Sequence, residues 1–299
     1  MNYIVFDLEW NQPANETEAV TRPIYLAGEI IEIGAVKLNA QFEPIDETRI
    51  YVMPKYYTKL HNRVASLTKI NNSCLRQNGI PFPQAWEEFR TWCGEDYAFM
   101  TWSESDLEAI IENMLIYGMD VSEFPLCYDI QRIFDREIMR DGRRCSLDKA
   151  IEILGETGDR AHDALHDARN TVLVCNHLDL DEYLDEYGSQ VFAEQPLETV
   201  YETPEDAILD TANASFCCPW CGEKITVEGW LPTYGTRFLG MASCEEGDEL
   251  ILYLDLSRSP EGYRAHRVIY EMSDDLWDRY QEKLENTALI PVEQEPAQV

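Results

Sequence analysis

Tyr3-Ile4-Val5-Phe6-Asp7-Leu8-Glu9-Trp10 is an apolar strand that runs into two acids. Its β-branched and aromatic start reads as a buried strand. Alternate side chains share a strand face, so Asp7 and Glu9 point the same way as close neighbours. Two like charges on a core face repel one another and resist desolvation unless a cation lies between them. The stretch is therefore either a strand edge with a wet face or half of a metal site. The rest of the chain decides between them.

The 299 residues, 45% hydrophobic and 27% charged, read as a soluble globular protein of one large domain or two ordinary ones. No stretch is long and apolar enough to span a bilayer, which excludes a membrane partner. The N-terminus passes straight into a strand without a signal sequence, so the expected location is cytoplasmic. Nine cysteines, an odd number in mostly apolar contexts, fit a reducing compartment better than a disulfide framework. The net charge of −32 excludes the broad basic footprint of a tight nucleic-acid binder. Acids outnumber bases most steeply after residue 180, so the first part of the chain must use local basic patches or metal ions.

Residues 11–27 are a polar loop. Ile30-Ile31-Glu32-Ile33-Gly34-Ala35-Val36 and Thr48-Arg49-Ile50-Tyr51-Val52 are two further strands, close enough in sequence to form an antiparallel meander with the first. Glu32 could pass for another ligand, and a structural role is the expected one. Lys55, Lys59, Arg63, Lys69 and Arg76 form a positive cluster among Tyr56, Tyr57 and His61, either a solvated face or a phosphate-contacting one. Pro83–Trp92 is a helix whose Trp86, Phe89 and Trp92 pack inward. Ala98-Phe99-Met100-Thr101-Trp102 is a strand, and Ser103-Glu104-Ser105-Asp106 opens the next helix. Pro125-Leu126-Cys127-Tyr128 is a fifth strand. The helix after it should carry Arg132, Arg136 and Arg140 along one side, with Arg143 and Arg144 beyond. Ser146 caps a helix that stops at Gly155. A loop then leads to Arg160-Ala161-His162-Asp163-Ala164-Leu165-His166-Asp167-Ala168 and a last helix. This order predicts an α/β domain over 1–180, with a mixed five-stranded sheet flanked by helices. An acidic linker over 181–210 and a small β-rich module over 211–299 follow, with a frayed tail at the end.

Hydrolysis of a phosphodiester by two metal ions needs several carboxylates around the cations and a base for the attacking water. Histidine, with a pKa of ~6.5, titrates in the right range. Asp7 and Glu9 offer one side of such a cluster, Asp106 and Asp167 the other, and His162 the base. Phe6-Asp7-Leu8-Glu9, Thr101–Asp106 and Ala161–Ala168 resemble, in order and interval, the three motifs of the DEDDh (RNase T/DnaQ-like) 3′–5′ exonucleases. In style they are closest to the Eri1 and KapD branch. The resemblance covers residues 1 to about 178. It implies an RNase H-like fold and two Mg²⁺ or Mn²⁺ ions on Asp7, Glu9, Asp106 and Asp167. It also implies His162 as general base, five positions before the last aspartate, with Asp163 and His166 outside the metal shell. No Glu-centred metalloprotease pattern accompanies His162 and His166, so the pair does not read as a zinc site. Ser66-Leu67-Thr68-Lys69-Ile70 resembles the segment that lies against the 3′-terminal nucleotide, with Lys69 in place of the usual glycine. Leu8, Trp10, Leu67, Thr68 and Trp102 are the implied substrate contacts. The Lys55–Arg76 and Arg132–Arg144 clusters are candidates for guiding a backbone.

The implied activity is 3′-end trimming of single-stranded RNA or DNA, with RNA favoured. A DNA proofreading or repair exonuclease and a non-catalytic binding or regulatory protein are the alternatives. Cys217-Cys218-Pro219-Trp220-Cys221-Gly222 contains a zinc-ribbon knuckle. Only Cys244 stands at a suitable distance to pair with Cys218 and Cys221. Glu245-Glu246-Gly247 stands where a fourth ligand is expected, and Cys217 or His266 would complete the site only at unusual spacing. Either a three-cysteine Zn²⁺ site with one odd ligand or a ribbon without metal fits. Trp220, Trp230 and Tyr234 either stack on bases or pack the module. The partner of this module is not specified by the sequence.

Overall fold

A computed structural model describes residues 1–15, 18–20, 26–121, 124–140, 144–189, 191–218, 221–233, 236–247, 249–259 and 261–292. Arg143, Trp220, Tyr234 and the expected C-terminal tail lie outside these residues. The chain divides into two compact units. The first comprises Met1–Val20, Leu26–Met119 and Pro125–Gly188, and the second is chiefly Ser189–Val299.

In the first unit, β1 (Asn2–Asn11) lies between two partners of opposite sense. It pairs antiparallel with β2 (Glu29–Leu38), in a register that sets Asp7 opposite Gly34 and Glu9 opposite Glu32. It pairs parallel with β5 (Tyr97–Thr101). β3 (Pro44–Met53) extends the antiparallel side, and β6 (Cys127–Asp129) extends the parallel side. With the two-residue β4 (Ile80–Pro81), six of the sheet's strands stand in the order β4-β3-β2-β1-β5-β6. The five expected strands form, and β4 is too short to carry a sequence pattern.

The helices are α1 (Asn62–Thr68), α2 (Asn72–Asn78), α3 (Phe82–Cys93), α4 (Ser105–Ile116), α5 (Ile130–Phe134), α6 (Leu147–Leu154), α7 (Ala164–Cys175) and α8 (Leu180–Tyr187). Strand alternation sends Phe6 to the face covered by α3, where its ring meets Phe89 at 6.0 Å and Phe99 at 4.9 Å. Burying each such ring contributes about 1.5–3 kcal/mol. Val5 goes to the opposite face and packs in one core with Leu165, Ala168 and Val172 of α7. Asp7 and Glu9 continue that second face, so β1 leads from hydrophobic core into the site beneath α7.

α1 closes on Lys69 in the left-handed region, φ 65°. A side chain there costs free energy that glycine avoids, and Lys69 offsets part of it by donating from Nζ to the Ser66 carbonyl at 2.6 Å. Lys69→Gly should raise the unfolding free energy by about 0.5–1 kcal/mol, read as a higher urea midpoint at unchanged slope. A lower midpoint would mean that the lysine contact outweighs the backbone strain.

The single regular helix expected to carry the arginines is interrupted. After α5 the chain makes a π-helical turn over Asp135–Met139 and ends in the left-handed region at Arg140. The regular helix expected to carry Arg132, Arg136 and Arg140 thus changes its winding after Phe134 and stops before Arg140. Arg144 stands 3.9 Å from Asp129.

Residues 181–210 are not a linker. α8 buries Leu180 and Leu184 in the core of the first unit. Val191–Tyr201 is a strand of the second unit, paired antiparallel with Gly262–Glu271. Its Glu194, Pro196 and Glu198 hide the strand pattern. Pro196 is tolerated because this strand lies at the sheet edge, beside a break in register.

The second unit is a six-stranded antiparallel sheet with a separate hairpin, Ser215–Cys217 against Lys224–Thr226. Trp230 is fully buried in its core, the packing alternative for that residue. Asp274–Asn286 adds a helix that sequence reading did not anticipate. Among the described residues, no helix is long and apolar enough to cross a membrane.

Candidate active site

A cavity of about 510 Å³ opens where β1, α1, α4, α6 and the loop before α7 converge. Asp7, Glu9, Asp106, His162 and Asp167 line it, as do Leu8, Trp10, Leu67, Thr68 and Trp102. All ten residues anticipated from the sequence therefore reach one place. Asp106 stands in the first turn of α4, where the helix dipole favours an anion, and its Oδ1 accepts the Leu8 backbone N–H at 2.9 Å. That bond joins α4 to the Asp-x-Glu segment.

Asp167 is fixed from two directions. Its Oδ2 accepts the His162 backbone N–H at 2.8 Å, and its Oδ1 accepts from Asn170 at 3.3 Å. His162 itself is exposed and takes φ 63°. Glu9, His162 and Asp167 each bring a ligand atom within 4.8 Å of the others. His166 begins to climb α7, whereas His162 precedes the helix, so the two histidines do not share a helical face. His166 Nδ1 lies 3.7 Å from Asp163, the N-cap of α7.

The acids repel one another strongly. Burial raises Asp7 well above the usual carboxylate range, followed by repulsion from Asp106, Asp167, Glu9 and Glu32. Burial and then Glu32 push Glu9 up to about 8. Burial raises Asp106 to about 7, against the Leu8 N–H bond that lowers it, and it raises Asp167 as well. Glu32, raised to about 7 by burial, is held by Arg49, whose Nε lies 3.3 Å away. It is a structural acid behind the site and does not line the cavity. Among the described residues, Arg63 and His162 are the only basic side chains that do. Arg63 is thus the one member of the Lys55–Arg76 cluster at the cavity. Lys55 instead sits over the rings of Tyr56 and Tyr117. The carboxylates of Asp7, Glu9, Asp106 and Asp167 against Arg63 and His162 leave an excess of hard oxygen donors, a set that fits divalent magnesium or manganese.

This repulsion has a sign in stability. The acids' folded values lie above the unfolded ones of ~4, so between about pH 4 and 8 the folded chain binds more protons than the unfolded chain. Stability of the metal-free protein must therefore fall as pH rises through that window. Relative to Asp7→Asn, its melting temperature should drop between pH 5 and 8.5, and Mn²⁺ should recover more at pH 8 than at pH 5. Parallel pH profiles for parent and variant would contradict the repulsive cluster.

Two residues that shape the site escaped sequence reading. Gly34 of β2 lets α7 touch the sheet: a Cβ there would lie 2.0 Å from the Leu165 nitrogen and 2.2 Å from the Ala164 carbonyl carbon. A lone glycine inside a strand pattern was its signal. Arg49 of β3 reaches Glu32 and Asp163, and an arginine within a strand was the only hint.

In the second unit, Cys218, Cys221 and Cys244 converge, with sulfurs within 4.8 Å of one another. Gly222 N–H donates to the Cys218 carbonyl at 2.9 Å and Gly247 N–H to the Cys244 carbonyl at 3.0 Å, so a backbone bond closes a turn after each of these cysteines. Glu223 Oε2 accepts the Glu245 N–H at 2.8 Å and ties the turns together. Among the described residues, no fourth His, Cys, Asp or Glu joins them. Cys217 is exposed opposite Lys224. His266 lies opposite Asp255 in the sheet and is depressed to about 4 by burial. Neither completes the site.

A mixed sheet whose central strand brings Asp-x-Glu against two further aspartates and a histidine defines a DEDDh 3′–5′ exonuclease, a phosphodiester hydrolase. The RNase T exonuclease model matches residues 4–175, more than half of the chain, and the chain belongs to that family. Family membership carries with it a requirement for divalent metal ions. No curated protein matches the sequence.

Solved structures share the fold. The nuclease domain of 3′hExo, a DEDDh family member bound to rAMP, is 22% identical with a TM-score of 0.52, over 60% of this chain and 92% of that one. The structure of 3′-end specific recognition of histone mRNA stem-loop by 3′-exonuclease gives 20% and 0.53, over 64% and 87%. E. coli Exonuclease I in complex with a dT13 oligonucleotide gives 13% and 0.50, over 80% of this chain and 55% of that one.

Proposed function

We propose that this exonuclease trims single-stranded nucleic acid from a free 3′ end, RNA in preference to DNA, with His162 as general base. The observation that carries the reading is the convergence of Glu9, His162 and Asp167 beside Asp7 and Asp106. Asp7, Glu9, Asp106 and Asp167 would hold two Mg²⁺ or Mn²⁺ ions, which when bound neutralise the carboxylates, polarise the scissile phosphate and acidify water. His162, exposed at the rim, takes the proton of the attacking water. Water oxygen bonds to phosphorus, the bond to the 3′ oxygen breaks, and a nucleoside 5′-monophosphate leaves a new 3′-hydroxyl on the strand. Trp10 and Leu67 offer apolar surface to the terminal nucleotide, and Leu8 and Trp102, nearly buried, line the cavity beside them. Thr68 positions its segment, since its hydroxyl donates to Val64 and accepts from Ile70 N–H.

The preference for RNA is supported by the Asp-Leu-Glu-Trp and Thr-Trp motif style and by the rAMP and histone mRNA named for two similar folds. The test is a ladder assay on 5′-labelled single-stranded RNA and DNA with Mg²⁺ or Mn²⁺. The expected result is shortening from the 3′ end, faster on RNA and lost in His162→Ala. Faster loss of DNA would reverse the substrate preference, and undiminished activity in His162→Ala would remove the base.

The three converging cysteines support a Zn²⁺ site that cross-links their two turns. Metal analysis of the full chain should find one zinc that Cys244→Ser loses. A metal content equal in parent and variant would leave the ribbon without metal. The nine cysteines, with three read as metal ligands, fit the cytoplasm as the working compartment.

A further inference from the structure

We propose that Arg49 is the positioning residue of the general base: its guanidinium clamps Asp163 and so holds His162 over the carboxylates. The inference rests on the reading of His162 as base. Three observations meet at Asp163. As the N-cap of α7, it accepts the His166 backbone N–H on Oδ1 at 3.2 Å. It follows His162, whose backbone is held in the left-handed region and whose N–H is bound to Asp167. It also receives Arg49 Nη2 on the same Oδ1, with Arg160 Nη2 at 3.4 Å from Oδ2.

Arg49 reaches this point because of Gly34. The β2–β3 register sets Arg49 beside Gly34, and the missing side chain of Gly34 is what lets the first turn of α7 come down to the sheet. Arg49 then divides its donors. Nε faces Glu32 at 3.3 Å, Nη1 donates to the Tyr51 hydroxyl at 3.2 Å, and Nη2 takes Asp163. A planar fork can hold two carboxylates in a fixed relation, which a point charge cannot. The N-cap bond alone would start the helix but leave its first turn free to rock on the sheet. The ion pair adds a lateral anchor, and the strained His162 turn persists only if its surroundings over-determine it.

A competing account is that Arg49 merely neutralises buried Glu32, and the variants are chosen to separate the two. Asp163→Ser keeps an N-cap oxygen but is too short for the guanidinium. Arg49→Met/Glu32→Gln removes the cation together with the acid it would leave unpaired. The expected result is that Arg49→Met and Asp163→Ser each lower kcat about 30-fold with KM within about twofold, since a base displaced by an ångström loses on the order of 10² in rate. Arg49→Lys, a point charge that cannot span Glu32 and Asp163 together, should recover only a minor part of that loss. The double variant should regain melting temperature but not kcat.

A second readout needs neither metal nor substrate. The His162 imidazole resonance, assigned by His162→Gln in the metal-free full chain, should shift and broaden in Arg49→Met and Asp163→Ser. Full recovery of kcat in the double variant would assign Arg49 to charge balance alone. A kcat within twofold of the parent in Asp163→Ser, or an unmoved His162 resonance in both variants, would overturn the proposal. Failure of the base reading is distinguishable, because it appears in His162→Ala against the parent, independently of any change at Arg49.

Discussion

Asp7→Asn should abolish trimming and at the same time make the metal-free protein more stable. Asp7 sits on β1 where the strand leaves the core, and four other acids raise its carboxyl through their charge, after burial itself. An amide of the same shape removes the Asp7 charge and with it the repulsion between Asp7 and these four acids. It also removes a charged ligand from the site that has to stabilise the transition state, and losing one such electrostatic contributor costs on the order of 10³ in kcat. The expected pair of results is a kcat at least about 10³-fold down and a melting temperature above the parent's in chelator at pH 8. Mn²⁺ should lift the parent's melting temperature and leave the variant's almost unmoved. Activity within tenfold of the parent would exclude Asp7 from the metal-holding set. A variant less stable than the parent in chelator would show that Asp7 is held by contacts stronger than the repulsion.

This opposition between stability and activity explains why the site could be read from sequence while its supports could not. Asp7, Glu9, Asp106 and Asp167 break the local rule that buried faces are apolar, and such breaks mark functional sites. Glu9 at the end of an apolar strand and Asp106 on the buried face of α4 are visible because an apolar residue would pack there at less cost. The supports obey local rules and so stay silent. Gly34 looks like any weak position in a strand until α7 lies on it. Arg49 and Glu32, far apart in sequence, become an ion pair only once β2 and β3 are in register with α7 above them. The edge strand Val191–Tyr201 was hidden for a different reason, since edge strands tolerate the proline and charge that argue against a strand elsewhere. The π turn after α5 changes the helical period itself, which a pattern based on 3.6 residues per turn cannot register.

The largest effect expected from a residue that touches no substrate is at Gly34. It stands opposite Asp7 in the β1–β2 register, so it marks where the strand-borne half of the site faces the helix-borne half. The added methyl of Gly34→Ala would meet the backbone of Ala164 and Leu165, which cannot rotate aside as a long side chain could. β2 and α7 must then part by about an ångström or more, at a cost of about 3 kcal/mol. Asp7 and Glu9 remain with the sheet, whereas His162 and Asp167 move with the first turn of α7. A misplacement of about 1 Å between groups that act together costs on the order of 10² in rate. Gly34→Ala should therefore lose about 10²-fold in kcat when assayed well below its own melting temperature, and Gly34→Val should lose more. Urea titration gives the stability arm, and the ladder assay gives the kinetic one. If Gly34→Ala were destabilised while its kcat stayed within threefold, α7 would have to tilt about a pivot near Asp167, and the distance from sheet to helix would not set the geometry of the site. If neither quantity moved, α7 would have to lie farther from β2 than the contact of Gly34 with Leu165 requires.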